Sequence, residues 1–141
     1  MSKLLQRLSD AAKSGVYRAS RTDEIMDATR GGALRVTCID LGGVAEKDVL
    51  LTRVSGALQF PDWFGRNWDA LKDCLADLSW IDSRGHVLLF ENMSALPSKD
   101  QRVLVEILSD VAPLWARDGR PFFAVFVGGA AALPELYRTR K

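Results

Sequence analysis

Three aspartates spaced four residues apart are the side chains of this sequence best placed to act together chemically. Asp69, Asp73 and Asp77, which we call the aspartate ridge, lie within FPDWFGRNWDALKDCLADLSW, residues 60–80. On an α-helix this spacing places the three carboxylates within about 80° of one another, opposite the leucines of the same segment. Like charges four residues apart cost a helix about 0.2–0.5 kcal/mol per pair. The ridge therefore predicts a cationic partner.

Carboxylates on one helix face are suited to two kinds of chemistry. They can bind a cationic partner, or Asp69 and Asp73 can hold Mg²⁺ for hydrolysis or phosphoryl transfer. One histidine and two cysteines leave few candidate bases or nucleophiles. The sequence shows no third metal ligand beside the two acids and no Cys/His spacing typical of a zinc site. We therefore expect a protein without catalytic residues, cofactor or metal.

The net charge of the chain is small, but acidic charge is concentrated in one segment. The 141 residues carry 19 Lys and Arg against 18 Asp and Glu, and the net charge is +1. Residues 60–82 hold five aspartates against Arg66 and Lys72, so five minus two leaves −3 there. A general nucleic-acid-binding protein would carry a strongly basic field. The charge pattern predicts a basic protein partner and no direct binding of nucleic acid.

The sequence also predicts a cytoplasmic location. No apolar run approaches the roughly 18 residues that a membrane span needs. The first residues, MSKLLQRLSDAAKSG, are typical of an amphipathic helix and lack the apolar centre of a secretion signal. Cys38 lies in an apolar run and Cys74 on the apolar side of the aspartate helix, so both are predicted to be reduced core thiols. His86 opens an apolar strand and is expected to be structural.

The pattern of elements predicts an α/β fold with a parallel sheet. Short apolar runs that suit strands covered on both faces occur at 34–41, 86–91 and 121–127. Helices are predicted at about 45–58, 62–79 and 98–117. Strands that alternate with helical crossovers build a parallel sheet through right-handed connections.

Several residues predict where the helices begin and end. Asn67 is a candidate cap for the regular part of the aspartate helix. Ser98 and Gln101 predict a capping box at the start of the long helix. Pro113 should kink or interrupt that helix, and Gly119 should end it.

The chain outside these elements is predicted to form an extension and a tail. Residues 1–33 should fold as a helix over 2–13, a short strand around 16–19 and a helix over 23–30 capped by Thr22. We expect this extension to pack on the same domain, where its strand would lie at the edge of the sheet. Residues 129–141 form a basic C-terminal tail.

The order of elements and the run WFGRNWDALKD, from Trp63 to Asp73, resemble the barstar family. Members of this family are small intracellular inhibitors of secreted, barnase-type ribonucleases. The resemblance covers 34–128 and implies a barstar-like domain with a small parallel three-stranded sheet packed with helices. It also implies a monomer that blocks the active site of a basic ribonuclease stoichiometrically, with no catalysis of its own.

The resemblance assigns roles to individual residues. Asp73 matches the acid that enters the phosphate pocket of the ribonuclease, and Asp69 matches the supporting acid one turn earlier. Trp63 matches the aromatic that packs against the enzyme's catalytic region. Gly65 and Asn67 match the contacting loop and helix start.

Other parts of the surface are less well matched. Asp77 lies one turn beyond Asp73 and is predicted either as a rim contact or as a surface charge. Lys72 stands where the type member has an aromatic residue. This difference implies that the target enzyme differs from that of the type member. The family also has a contacting glutamate near the start of the long helix, to which Asp100, Gln101 or Glu106 could correspond. Two alternatives stay open at this point: the Mg²⁺-dependent hydrolase, and a barstar-like protein that binds a basic protein other than a nuclease.

Overall fold

The chain folds around a four-stranded parallel sheet. In the structure, a computed structural model, residues 3–62, 64–128 and 132–137 are described. The strands are β1 (Gly15–Ala19), β2 (Leu34–Asp40), β3 (Gly85–Glu91) and β4 (Phe122–Val127). The helices are α1 (Lys3–Leu8), α2 (Asp23–Thr29), α3 (Lys47–Ala57), α4 (Trp68–Asp77) and α5 (Ser98–Arg117), with short 3₁₀ turns at Ala11–Lys13 and Met93–Ala95.

The strand order is β1-β4-β3-β2, and every pairing is parallel. The α/β class and the three strands predicted after residue 33 are confirmed. The fourth strand, β1, comes from the N-terminal extension and pairs with β4 along its whole length, from Gly15 opposite Phe123 to Ala19 opposite Val127. The predicted edge strand is therefore present, and the sheet has four strands instead of three.

The direction of each crossover decides which face of the sheet a helix covers. The connections β2 to β3 and β3 to β4 step in the same direction, so right-handed crossovers place α3, α4 and α5 on one face. The connection β1 to β2 runs the opposite way and places α2 on the other face, together with α1. Two separate apolar clusters result, one on each side of the sheet.

The second cluster is completed by the chain after β4. Leu136 is buried there with Leu8, Ile25 and Phe123. The Arg18 N–H donates to the Pro134 carbonyl at 2.8 Å, and the Leu136 N–H donates to the Arg18 carbonyl at 2.9 Å. These bonds cover the outer edge of β1, which would otherwise expose unpaired backbone groups.

The prediction of a single helix over 2–13 was wrong. Helix α1 ends at Leu8, and a separate 3₁₀ turn follows at Ala11–Lys13. The Asp10 carboxylate accepts a 3.0 Å hydrogen bond from the Ala12 N–H, which favours a new turn over continuation of the helix. Thr22 precedes α2 as predicted, but its side chain makes no capping hydrogen bond.

The predicted capping box at the start of α5 was also wrong. Pro97 occupies the cap position, and Ser98 is already helical. The Gln101 side chain donates to the carbonyls of Met93 and Leu96, because the turn before the helix brings those groups within its reach.

Helix α5 runs past Pro113 to Arg117 and is not interrupted. Ser109, whose carbonyl loses its helical partner at Pro113, lies like Pro113 on the exposed side of the helix, where water can replace that bond. Gly119 follows with a φ of 72°, as expected for the residue that ends the helix.

The two cysteines differ in environment. Cys74 is buried as predicted, but Cys38 is exposed, so its assignment to the core was wrong. Cys38 lies on the edge strand β2, where Leu34 and Val36 are partly covered by the second cluster and the cover does not reach the end of the strand. Both thiols are free.

None of the helices formed by the described residues is both long and apolar enough to cross a lipid bilayer. The division of the chain into 1–33, 34–128 and 129–141 stays a prediction. Residues 129–131 and 138–141 of the predicted basic tail lie outside the described residues.

Candidate protein-binding site

Helix α4 begins directly after Asn67, the residue predicted to cap it. Asn67 has an extended backbone, with φ −139° and ψ 172°, and its Oδ1 accepts a 2.7 Å hydrogen bond from the Ala70 N–H. This bond satisfies one of the N–H groups that have no partner within the helix. The predicted cap is confirmed, and it fixes the point at which the aspartate ridge begins.

The aspartate ridge lies on the solvent side of α4. Asp69, Asp73 and Asp77 are exposed, whereas the opposite side of the helix is buried in the first apolar cluster. Within the part of the chain that the structure describes, none of the three carboxylates makes a hydrogen bond or an ion pair. Burial raises the pKa of the Cys74 thiol, and the negative charges of Asp73 and Asp77 raise it further.

The loop before α4 is held in place by aromatic contacts. The rings of Phe60 and Phe64 meet edge to face with centroids 4.9 Å apart, and Phe60 meets Trp80 in the same way at 5.9 Å. The Trp80 Nε1 donates a 2.9 Å hydrogen bond to the Leu58 carbonyl at the end of α3. These contacts anchor both ends of the segment that carries the aspartate ridge.

Gly65 lies exposed in this loop, between Phe64 and the cap residue. A Cβ atom added there would come no closer than 3.4 Å to Asn67 Nδ2 and 3.6 Å to the Ala70 Cβ, which are ordinary contacts. The fold itself therefore does not require glycine at this position. Trp63, the predicted aromatic contact, lies outside the described residues.

The far end of α4 turns sharply toward β3. Leu78 is buried and adopts the left-handed conformation with φ 47°, and its N–H donates to the Cys74 carbonyl at 3.0 Å. The Trp115 Nε1 of α5 donates a 3.0 Å bond to the Leu75 carbonyl. Carbonyls in the last turn of a helix have no helical partner, so Trp115 satisfies one of them from a neighbouring helix.

Sequence reasoning missed one contact next to the ridge, between Lys72 and Asp110. Lys72 Nζ lies 3.4 Å from Asp110 Oδ2, so an ion pair joins α4 to α5. Both side chains are about half exposed, at 44% and 52%. No periodicity in the sequence indicates this pairing, because it depends on the register between two helices that are distant along the chain.

The three candidates for a contacting residue at the start of α5 have different environments. Gln101 is partly buried, and its amide donates to two loop carbonyls. Glu106 is exposed and lies one turn before Asp110, and therefore on the side of α5 that adjoins the aspartate helix. Asp100 lies near the beginning of α5, farther from the Lys72–Asp110 contact.

Among the described residues, no group of three or more His, Cys, Asp or Glu side chains is arranged to hold a metal ion. The carboxylates of the site lie in line along one helix face and do not converge on a point. This geometry suits contact with an extended cationic surface.

A family model described as Barstar (barnase inhibitor) matches residues 34–127 of the chain. The chain belongs to the barstar family. The match begins at the first residue of β2 and ends at the last residue of β4, so it contains α3, α4 and α5 with the whole aspartate ridge. Comparison with curated proteins found no match.

Membership of the barstar family confirms the resemblance drawn from the WFGRNWDALKD run. It places the chain in a family described by its inhibition of barnase. The N-terminal layer, with α1, β1 and α2, lies outside the matched residues, as does the segment that covers the β1 edge.

Proposed function

We propose that this protein inhibits a basic ribonuclease by covering its active site with α4 and the loop before it. In this proposal Asp73 enters the pocket that holds the RNA phosphate, and Asp69 supports it from one turn earlier. The observation that carries the proposal is that the aspartate ridge is exposed to solvent and pairs with no described residue, on a helix within the family match. A carboxylate engaged with its own protein could not serve this purpose.

The chemistry of the target explains the choice of side chain. A ribonuclease must hold an anionic phosphate, so its cleft presents arginine, lysine and histidine. A carboxylate can accept paired hydrogen bonds from a guanidinium in that cleft and replace the charge of the phosphate. Aspartate has a shorter side chain than glutamate and loses less rotamer freedom when it is fixed.

Charge should also speed the encounter between the two proteins. Residues 60–82 carry a net −3, from five aspartates minus Arg66 and Lys72. Attraction between such a surface and a basic enzyme raises association rates by about 10–10³-fold, a range that includes complexes of this family. Because salt screens exposed charges, the association rate should fall as ionic strength rises.

The other predicted contacts surround the ridge. Gly65 and Asn67 would meet the enzyme at the N-terminal end of α4, Trp63 is the proposed aromatic contact, and Asp77 would lie at the rim of the interface. Of the candidates on α5, we propose Glu106 as the further contacting acid, because it is exposed on the side of α5 that adjoins α4.

We further propose that the protein acts in the cytoplasm as a monomer, binds one ribonuclease molecule and catalyses no reaction. The absence of catalysis follows from the mode of inhibition, because a protein that only blocks an active site needs neither a nucleophile nor a cofactor.

The proposal is tested by capturing basic proteins from an extract of the source organism on the immobilised protein and assaying each for RNA cleavage. We expect a captured ribonuclease to lose activity in proportion to added inhibitor. Asp73→Ala should weaken inhibition by about thirtyfold or more, the general threshold for an interface hot spot. Asp27→Ala is the matched control, because Asp27 is an exposed acid on α2, on the opposite face of the sheet.

Three outcomes would contradict parts of this proposal. If Asp73→Ala inhibits as well as the parent protein, the residue assignment is wrong. If the captured partner is a basic protein that does not cleave RNA, this protein binds a partner other than a nuclease. If calorimetry detects a Mg²⁺ site that Asp69→Asn removes, the hydrolase alternative gains support.

A further inference from the structure

Lys72 is the one basic residue of α4 and lies between Asp69 and Asp73 of the aspartate ridge. It follows Asp69 by three residues, so the two side chains are neighbours on the surface of α4. An acid placed before a base at this spacing forms a favourable pair within a helix. The default expectation is therefore that Lys72 neutralises Asp69.

The structure shows a different pairing. The Lys72 ammonium lies 3.4 Å from Asp110 Oδ2 on α5, and Asp69 makes no ion pair with any described residue. The lysine is thus turned toward α5, away from Asp69.

The register between α4 and α5 explains why Asp110 meets Lys72. The buried bond from Trp115 Nε1 to the Leu75 carbonyl fixes the two helices side by side. Lys72 lies three residues before Leu75, and Asp110 lies five residues before Trp115. Because the two helices run in the same direction, this places Asp110 beside Lys72.

We propose that Asp110 is a positioning residue that holds Lys72 away from the aspartate ridge. This inference rests on the proposed function, since the benefit is a ridge whose full negative charge is available to a basic ribonuclease. When Asp110 cannot accept from Lys72, the ammonium moves to Asp69, and one carboxylate of the ridge is occupied before the partner arrives.

A double-mutant cycle separates this effect from simple loss of charge. The variants are Asp110→Asn, Lys72→Gln and the two combined, with Asp27→Asn as the control. Asp27 forms an exposed ion pair with Arg30 at 2.8 Å on the far side of the sheet, so its substitution removes the same charge away from the ridge.

We expect Asp110→Asn to raise the dissociation constant for the ribonuclease about two- to fivefold more than Asp27→Asn, the range for one exposed ion pair. In the Lys72→Gln background Asp110→Asn should raise the dissociation constant by a smaller factor than in the parent, because no lysine remains to be released. If Asp110→Asn has the same effect with and without Lys72, then Asp110 acts only through its charge and the inference is wrong.

A second measurement needs no ribonuclease. In NMR spectra of the free protein, nuclear Overhauser contacts between the Lys72 Hε and Asp69 Hβ protons should be absent in the parent and present in Asp110→Asn. Contacts already present in the parent, or still absent in the variant, would refute the inference. If Asp73→Ala leaves inhibition intact, the proposed function fails instead, and these spectra still decide whether Asp110 holds Lys72.

Discussion

The indole Nε1 of Trp115 donates a 3.0 Å hydrogen bond to the backbone carbonyl of Leu75. Both residues are buried, and the bond joins the long helix α5 to the last turns of the aspartate helix α4. The carbonyl has no partner within α4, so the tryptophan satisfies a group that would otherwise be buried unpaired. One side chain of the core therefore satisfies a carbonyl in the last turns of α4 and joins that helix to α5.

Trp115→Phe should lower the free energy of unfolding by about 1–3 kcal/mol, because it leaves the Leu75 carbonyl buried without a donor. Urea unfolding of the parent and the variant measures the difference. Trp80→Phe is the matched control, since it removes a similar bond to the Leu58 carbonyl at a partly buried site. A loss for Trp115→Phe no larger than that for the control would contradict this account.

Asn67→Ala should lower the free energy of unfolding by about 0.5–2 kcal/mol, because the Ala70 N–H loses its capping acceptor. Asn67→Ser keeps an acceptor at the cap and should retain most of the stability. We expect both variants to inhibit the ribonuclease less well, since each loses the predicted contact between the Asn67 side-chain amide and the enzyme. Full inhibition by Asn67→Ser would limit Asn67 to the capping role.

Gly65→Ala tests the loop before α4 without disturbing the fold. The added methyl group makes only ordinary contacts within the protein, so the free energy of unfolding should change by less than about 0.5 kcal/mol. Inhibition should nevertheless weaken, because the methyl group occupies space that the enzyme's surface would approach. Inhibition equal to that of the parent would remove Gly65 from the predicted interface.

Leu136→Ala should lower the free energy of unfolding by about 2–5 kcal/mol, the range for truncating a fully buried leucine. The residue closes the second apolar cluster beneath the sheet and lies next to the bonds that cover the β1 edge. Leu114→Ala is a suitable control, because that leucine is 37% exposed on α5. Similar effects of the two substitutions would show that the segment around Leu136 contributes little to stability.

The elements that could be predicted from the sequence are those whose signals are local. Apolar runs gave β2, β3 and β4, and Asn67 marked the start of α4 because its short side chain can reach the first free N–H groups. The errors came where local signals compete with tertiary contacts. Gln101 donates to two loop carbonyls of the preceding turn instead of closing a capping box, and Cys38 belongs to an apolar run that lies at an edge of the sheet.

The candidate site was predictable only in part, for the same reason. The spacing of the aspartates indicates one exposed face, and the structure places all three there. The pairing of Lys72 with Asp110 depends on how two helices pack, which in turn depends on Trp115. No pattern within either helix contains that information.

His86 is fully buried at the start of β3, beside Trp115. Its Nε2 lies 3.1 Å from the Ser83 Oγ, and its ring meets Trp115 edge to face with centroids 5.1 Å apart. Nδ1 has no hydrogen-bond partner among the described residues. Burial lowers the pKa of His86 from 6.5 to about 4, and the positive charges of Arg120 and Arg35 act in the same direction.

This shift predicts that the protein loses stability in mild acid. Between pH 6.5 and about pH 4 the unfolded chain binds a proton at His86 that the folded protein does not bind. The free energy of unfolding should therefore decrease as the pH falls through that window, by up to about 3 kcal/mol from this residue. His86→Phe keeps an aromatic ring against Trp115 but cannot titrate, so its urea unfolding should depend less steeply on pH than that of the parent. A difference in overall stability between the two proteins does not affect this comparison, which concerns only the slope of the free energy of unfolding against pH. Equal slopes across the window would show that His86 is not the group that titrates.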